Sequence, residues 1–262
     1  MTEQEELNQY LFDLQGYLVL EDVLDDEVLA TLNEHLDAQQ LDPPERGLRF
    51  GSAPEGSGFL GWGQSFVDLL DHEAVMPVLR QRLGDCFRLD RIYGIQMSQG
   101  IRRGRLHSDY GASSFTSTVA PGEYYQPHGN EIVDGFVVVA WNLSEAGPGC
   151  GGFCCIPGSH KSHYLLPESI KEAGEDSAGV VVPSAPAGST VLFTESLTHG
   201  TASWTAAHER RCLLYKYCVS HIAWTSGRMQ QPDNAALTDR QQMLFRDPSE
   251  PHRFFPSLFE TE

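Results

Sequence analysis

The chain has 262 residues, 40% of them hydrophobic, so it is long enough to bury a substantial core within one globular domain. Its 36 acidic residues against 18 basic residues give a formal net charge of −18. Such a surface repels nucleic-acid phosphates and anionic membranes, so we expect neither as a partner and expect a small-molecule substrate. The sequence gives no indication of an oligomeric state.

The two ends of the chain and its cysteines bear on its location. Residues 1–45 contain no Lys or Arg, so the basic start of a secretory signal and the Arg-rich face of a transit peptide are both missing. No apolar run reaches the roughly 18 residues of a membrane span, and the last residues are not a peroxisomal address. The six cysteines show no C-x-x-C spacing and are expected to be reduced. We therefore expect a cytoplasmic protein.

The first part of the chain, residues 1–84, is predicted to be mostly helical. An apolar run at residues 16–20 predicts a short strand, and the glycine-rich residues 39–63 predict a loop. Three helices are predicted: residues 3–14, a helix capped by Asp25 or Asp26 that runs to about Ala38, and residues 64–83 with a break near Asp71 or Pro77. Gly84 is suited to end the last of these.

From residue 85 the pattern changes to short β-type runs separated by Gly and Pro. These runs are residues 87–98, 135–143, 152–157, 179–183, 189–194 and 211–220. Their spacing favours a double-sheet β structure over alternating β-α-β units. Residues 113–135 lack apolar periodicity and are predicted to form a lid, and residues 237–245 are predicted to form a late helix.

We predict one domain over residues 1–262. It would comprise a mostly helical N-terminal decoration at 1–84, a β core at 85–221 and a C-terminal extension at 222–262. No internal repeat, low-complexity tract or long linker divides the chain.

The triplet His107-Ser108-Asp109 is the first sign of chemistry. Side chains two residues apart in an extended segment share a face, so His107 and Asp109 can bind the same ion. A distant histidine would complete two imidazoles and one carboxylate, the facial triad of mononuclear ferrous oxygenases. Among ten histidines, His199 is favoured because it follows one predicted strand and precedes the next.

Arg210 begins that next strand and is expected to lie close to His199. Its guanidinium suits a carboxylate, which it can hold through two parallel hydrogen bonds. Arg211 is the competitor, because neighbouring strand residues face opposite ways and only one of them can point inward. Parity alone does not choose between the two arginines.

These residues carry a resemblance to a known family. The H-S-D triplet, the run G-G-F-C-C-I-P-G-S-H-K at residues 151–161 and His199 followed eleven residues later by Arg210 resemble the phytanoyl-CoA dioxygenase family. The start G-Y-L-V at residues 16–19 followed by a helix also matches, so the resemblance covers most of the chain. It implies a mainly β fold with flanking helices, built on a double-stranded β-helix (jelly-roll, cupin-like) core.

The resemblance also implies Fe(II), 2-oxoglutarate and O2 as cofactor and cosubstrates. On this resemblance His107, Asp109 and His199 are the catalytic metal ligands. Arg210, favoured over Arg211 by the family's spacing, pairs with the distal carboxylate of 2-oxoglutarate, and Thr201 places a hydroxyl on the same carboxylate.

The implied activity is the hydroxylation of a small organic molecule with release of succinate and CO2. An intact Asp109 favours hydroxylation, because related halogenases replace this carboxylate with a small residue. Two alternatives remain: a non-catalytic jelly-roll protein that binds a metal or small ligand, and a zinc hydrolase that uses the same two histidines and aspartate. Arg210 argues against both, because neither needs an anchor for a cosubstrate carboxylate.

Several other residues allow both a functional and an ordinary reading. Gln96 is either a donor to the cosubstrate or a solvated strand amide. Arg102, Arg103 and Arg105 either attract an anion or form an exposed basic turn. His160 is expected to be structural or to support the site. The remaining candidates line a substrate pocket or pack in the lid and core: Tyr124, Tyr125, His128 and Trp141.

Overall fold

A six-stranded antiparallel sheet dominates the fold. The computed structural model describes residues 2–41, 48–54, 56–102, 104–109, 125–128, 131–162 and 164–259. Its strands are β1 (Tyr17–Leu20), β2 (Leu48–Ala53), β3 (Phe87–Met97), β4 (Gln126–His128), β5 (Glu131–Val133), β6 (Phe136–Asn142), β7 (Gly152–Cys155), β8 (Thr190–Thr194), β9 (His199–Ala202) and β10 (Arg210–Val219). The large sheet has the order β1-β8-β6-β10-β3-β2. The predicted mainly β architecture with flanking helices is confirmed.

A smaller antiparallel layer consists of β7 and β9. Two isolated bridges extend it on either side, His107 to His199 and Cys155 to Val181. Strands β4 and β5 form a separate pair. Of the large sheet and the β7–β9 sheet, the smaller one contains a predicted site histidine, His199.

Most of the helices pack on one face of the large sheet, and the helix Glu168–Ala173 packs beside the small sheet. They are α1 (Glu3–Gln15), α2 (Asp26–Ala38), α3 (Gln64–Asp68), α4 (Met76–Leu83), α5 (Glu168–Ala173) and α6 (Asp239–Met243), with short 3-10 turns at Gly58–Trp62, Ser159–Lys161 and Gly174–Asp176. Asp25, rather than Asp26, caps α2 by accepting from the amide of Val28. Gly16 ends α1 with a φ of 83°, a conformation that favours glycine. In the part of the chain described above, no helix is both long and apolar enough to cross a membrane.

The two faces of the large sheet have different neighbours. On one face, alternate residues of the central strands pack with the helices into the main core. There the hydroxyls of Tyr215 and Tyr217 donate to the carbonyls of Phe66 and Leu70, at 2.6 and 2.7 Å. The other face covers a second apolar cluster beneath the small sheet. Because side chains alternate along a strand, each residue of β3, β6 and β10 belongs to one side or the other.

Residues 39–63, expected to be a loop, contain strand β2 at the edge of the large sheet. Its pairing with β3 depends on Gly94, because a Cβ at that position would collide with the ring of Phe50. This contact joins residues far apart in sequence, so no local pattern in residues 39–63 revealed it.

Three further expectations need correction. The predicted decoration at 1–84 supplies both edge strands of the large sheet, β1 and β2. The predicted strand at 179–183 is reduced to the bridge at Val181. The expected turn at His199 is the start of strand β9. In each case pairing with a distant segment decided the outcome.

The predicted lid at residues 113–135 is covered only in part. Residues 113–124, which include Tyr124, lie outside the described residues, as does the side chain of His128. Strands β4 and β5 occupy part of the remainder. The function of this segment as a lid stays a prediction.

Asp134, which follows β5, makes stability dependent on pH. Its side chain is fully buried 3.4 Å from the guanidinium of Arg82, and burial raises its pKa to about 7 although Arg82 opposes that shift. Above about pH 4 the carboxyl of Asp134 loses its proton in the unfolded chain but keeps it in the native protein. The contribution of Asp134 to the free energy of unfolding therefore falls as the pH rises to about 7.

We expect Asp134→Asn to remove this contribution. The difference in unfolding free energy between variant and wild type, measured by urea denaturation, should change in favour of the variant from about pH 4 to about pH 7. Asp247→Asn, at an exposed ion pair with Arg228, is the control for the loss of one carboxylate. A difference for Asp134→Asn that stays constant with pH contradicts the assignment.

Candidate active site

His107 and His199 lie side by side where the H-S-D triplet meets β9. Each donates its backbone amide to the carbonyl of the other, at 2.9 Å from His107 and 2.7 Å from His199. Residues paired in this way point their side chains to the same side, and the ring centroids are 4.6 Å apart. The structure thus brings together the two predicted histidines, which are 92 positions apart in the sequence.

Both rings are held in the same tautomer. The Nδ1 atoms of His107 and His199 lie 2.8 Å from the carbonyl oxygens of Arg105 and Leu197, respectively. Because a carbonyl only accepts, each Nδ1 carries the proton and each Nε2 keeps its lone pair. Burial lowers the pKa of both rings, and the neighbouring His107 lowers that of His199 further, to about 3. Two neutral imidazoles that carry the proton on Nδ1 are suited to bind a metal through Nε2.

Asp109 contributes the carboxylate on the same side as His107. Its Oδ1 lies 3.7 Å from Nε2 of His107, and Ser108 between them is fully buried. Within the described ranges, no three His, Cys, Asp or Glu side chains are drawn together tightly enough to enclose an ion. The other oxygen of Asp109 forms ion pairs with Lys216 at 3.0 Å and Arg91 at 3.5 Å. Oδ1 remains on the histidine side, so the donors fit one metal of the ferrous type.

Lys216 joins Asp109 to a second buried carboxylate, Glu195, with which it also forms an ion pair. Burial raises the pKa of Glu195 to about 7, against the pull of Lys216 and with the support of the charge on Asp109. Burial also acts to raise the pKa of Asp109, but Lys216 and the other neighbours lower it below its ordinary value. We conclude that Asp109 is ionised and that Glu195 holds a proton more readily. Neither Lys216 nor Glu195 was predicted as a neighbour of Asp109. The position of Lys216 inside the apolar run 212–219 was a usable signal.

A cavity of about 690 Å³ lies between the two sheets, with both histidines in its wall. The large sheet lines it with Tyr93, Ile95, Met97, Ala140, Val191, Phe193, Cys212 and Leu214, and the small sheet with Phe153 and Thr201. The ring of Phe193 packs 4.7 Å from that of His199. This volume falls within the range of small-molecule sites. Thr201 lines the same cavity as His199.

Arg210 points into this cavity and Arg211 points away from it. Arg210 is 4% exposed, and its nearest partners are the sulfur of Met97 at 3.4 Å and the thiol of Cys212. Its Nε has no hydrogen-bond partner among the described residues. Arg211 instead pairs with Asp37 at 2.7 Å and with Glu209 at 3.1 Å. The register of β10 between β3 and β6 fixes this parity, which the sequence left open.

The structure does not bring Gln96 to the cavity. Gln96 pairs with Arg211 across the strands and so lies on the opposite face of β3 from Met97. Trp141 likewise lies on the helix side, fully buried with its ring 5.4 Å from that of His72. Strand parity removes both residues from the candidate pocket.

The P-G-S-H-K run, residues 157–161, contacts the segment that carries His199. Ser159 accepts a hydrogen bond from the amide of Thr198 at 2.8 Å, immediately before His199, and Gly158 donates to the carbonyl of Gln15 at 2.9 Å. His160 bonds to the carbonyl of Asp13 at 3.0 Å, and Tyr125 donates to the carboxylate of Asp13. The run therefore ties α1 to the segment that carries His199, and the expected structural role of His160 agrees with these contacts.

The basic turn contributes to the cavity wall. Arg102 and Arg105 line it, while Arg103 lies outside the described residues. Arg49 of β2 lines it as well and packs over the ring of Tyr93 at 4.2 Å. Arg49 was not predicted as a site residue, because the segment that forms its strand was predicted to be a loop.

Two facing antiparallel sheets, an internal cavity and two histidines beside an aspartate define an oxygenase-type enzyme of the jelly-roll class. The profile of the phytanoyl-CoA dioxygenase (PhyH) family matches residues 12–212, and the chain belongs to that family. The family uses Fe(II), 2-oxoglutarate and O2. No curated protein matches the sequence.

Solved structures of HygX from Streptomyces hygroscopicus have a similar fold. The form with nickel and 2-oxoglutarate bound is 21% identical, with a TM-score of 0.70 over 85% of this chain and 89% of that chain. The form with nickel, 2-oxoglutarate and hygromycin B bound is 18% identical, with a TM-score of 0.70 over 91% and 97% of the two chains. The form with iron bound is 20% identical, with a TM-score of 0.67 over 85% and 88%. The predicted jelly-roll fold is confirmed.

Proposed function

We propose that the protein is an Fe(II)- and 2-oxoglutarate-dependent dioxygenase that hydroxylates a small organic molecule and releases succinate and CO2. One observation carries this proposal: two neutral histidines, one of them beside the carboxylate of Asp109, line the same cavity as a buried arginine that has no acidic partner among the described residues. A metal site and an anion anchor are the two requirements of this chemistry. Membership of the family supports the proposal, as does the 2-oxoglutarate bound in a structural neighbour.

His107, Asp109 and His199 would hold the metal. Two imidazole nitrogens and one carboxylate oxygen suit ferrous iron and leave positions for other ligands. When bound, the iron supplies oxidative decarboxylation of 2-oxoglutarate and oxygen transfer to the substrate. The carbonyls of Arg105 and Leu197 hold the rings in the required tautomer, and Lys216 holds the far oxygen of Asp109.

Arg210 and Thr201 would hold the distal carboxylate of 2-oxoglutarate. In a buried, largely apolar wall, a guanidinium gains more from a carboxylate than it does in water, and it can orient the anion through two parallel hydrogen bonds. Met97, Phe153 and Phe193 exclude water from the same space.

Hydroxylation is favoured over halogenation because Asp109 keeps its carboxylate. The alternatives, a non-catalytic binding protein and a zinc hydrolase, do not account for Arg210, whose buried charge neither would require. Hygromycin B in a structural neighbour supports a small molecule as the substrate.

The test is anaerobic addition of Fe(II) and 2-oxoglutarate, with observation of the weak visible charge-transfer band of the chelate. We expect wild type to give the band and to release succinate in step with oxygen consumption. Metal binding without the band, or hydrolysis without oxygen consumption, would support one of the alternatives instead.

Arg210→Gln should raise the KM for 2-oxoglutarate about ten- to hundredfold, because it removes a charge-assisted hydrogen bond worth about 1.5–3 kcal/mol. The measurement is succinate release at increasing 2-oxoglutarate. Arg211→Gln is the matched control, because Arg211 lies outside the cavity. An equal rise in the control would transfer the anchor to Arg211.

We also propose that residues 1–262 form one domain in the cytoplasm. The C-terminal residues pack on the core, with Leu258 donating to the carbonyl of Asp85 at 2.9 Å and Leu89 to that of Leu244 at 2.9 Å. All six cysteines lie in the described ranges, and no disulfide joins them. Limited proteolysis tests the domain: a stable fragment that lacks residues 222–262 contradicts it.

A further inference from the structure

The described arginines differ in whether an acidic side chain pairs with them. Eight described arginines form ion pairs with Asp or Glu, as expected for a protein with a net charge of −18: Arg80, Arg82, Arg88, Arg91, Arg211, Arg228, Arg240 and Arg253. Arg49, Arg102 and Arg210 form no such pair with any described residue, and all three line the cavity. Arg246, on the surface, is another arginine that no acidic side chain of the described ranges pairs with.

The wall of the cavity is correspondingly positive. Its described lining includes four arginines, the three named above and Arg105, and no Asp or Glu. Acidic residues outnumber basic residues twofold in the whole chain, so this local excess is the reverse of the composition. A concave wall with one sign of charge concentrates ligands of the opposite sign.

The positive charges stand in separate parts of the wall. Arg210 is buried at the start of β10, beside Met97. Arg49 and Arg102 are exposed and lie on β2 and on the loop before the H-S-D triplet. The guanidinium of Arg49 packs over the ring face of Tyr93, 4.2 Å from the ring centroid. The proposed cosubstrate accounts for Arg210 but not for Arg49 and Arg102.

We propose that the primary substrate is a small organic anion whose carboxylate or phosphate is bound by Arg49 and Arg102. Its hydrocarbon part would lie along Ile95, Ile101 and Leu214, within reach of the two histidines. This inference rests on the proposed function, since it assigns the substrate of the same cavity. An uncharged or cationic substrate would leave both arginines without a partner.

The test uses three probes of one length: hexanoate, hexyl phosphate and the neutral hexanamide. Each is titrated anaerobically into protein loaded with Fe(II) and 2-oxoglutarate, and binding is followed by the change in the charge-transfer band. The melting temperature with each probe is measured in parallel on metal-free protein. If wild type forms no band, the proposed function fails, while the melting temperature still tests the anion site.

We expect at least one anion to bind wild type about tenfold or more tightly than hexanamide, and to bind less tightly as salt is added. Arg49→Gln and Arg102→Gln should each lose most of that preference. Arg246→Gln, which removes an exposed arginine outside the cavity, should keep it. Preference for hexanoate or for hexyl phosphate identifies the anionic group.

The proposal is overturned by equal binding of hexanamide and the anions to wild type, by no binding of either anion, or by unchanged anion affinity in both cavity variants. Equal loss in Arg246→Gln also overturns it, because the effect would then come from net charge.

Discussion

Asp109→Ala is expected to weaken Fe(II) binding more than about a hundredfold, since loss of a residue that only supports a metal ligand already costs about ten- to hundredfold. The charge-transfer band and succinate release should disappear. The fold should survive, because Lys216 keeps Glu195 as its partner after the substitution. Metal affinity is measured by competition with a chelator, and stability by thermal unfolding of the metal-free protein.

The control for Asp109→Ala is Asp247→Ala, which removes an exposed carboxylate paired with Arg228. The control should bind Fe(II) like wild type. Unchanged Fe(II) affinity in Asp109→Ala would show that the H-S-D triplet is not the metal site. A fall in melting temperature without loss of metal would make Asp109 a structural residue that serves Lys216.

Lys216→Met is expected to have the largest effect on stability. Its side chain is 5% exposed, and its ammonium forms ion pairs with Asp109 at 3.0 Å and with Glu195. Removal of one member of a buried ion pair typically costs about 3–5 kcal/mol, and here two carboxylates lose their contact with Lys216 while Arg91 stays 3.5 Å from Asp109. In a chain of this size the melting temperature should fall by about 6–20 °C.

Two further variants separate this effect from a general loss of lysine. Lys161→Met removes a half-exposed ion pair with Asp13 and should change stability by less than about 1 kcal/mol. Adding Glu195→Gln to Lys216→Met removes one of the two carboxylates that had paired with Lys216, so part of the lost stability should return. Equal losses in Lys216→Met and Lys161→Met, or no restoration by Glu195→Gln, would contradict the buried cluster.

The sequence was a good guide wherever a short stretch determined its own structure. The helix of residues 3–14 and the cap at Asp25 depend on side chains that bond to the amides of the next turn, and both were predicted closely. The strands at 87–97 and 136–142 depend on apolar runs bounded by turn residues, and they too were predicted.

The sequence was a poor guide where a strand depended on a distant partner. Strand β2 contains three small residues in six, Gly51, Ser52 and Ala53, and has little apolar pattern, so only its pairing with β3 reveals it. Arg49 was missed with it. Residues 179–183 were predicted to form a strand, but only Val181 forms an isolated bridge. His199 was expected at a turn, but it begins strand β9, which pairs with β7.

The sequence by itself determined the candidate residues of the site: the H-S-D triplet, one further histidine and a pair of adjacent arginines. Tertiary structure decided which atoms meet. Cross-strand register turned Arg210 inward and Arg211 outward, placed Gln96 on the wrong face and brought Lys216 and Glu195 to Asp109. Register is set by hydrogen bonds between strands remote in sequence, and a shift of one residue reverses every side chain, so no local pattern could have fixed these contacts.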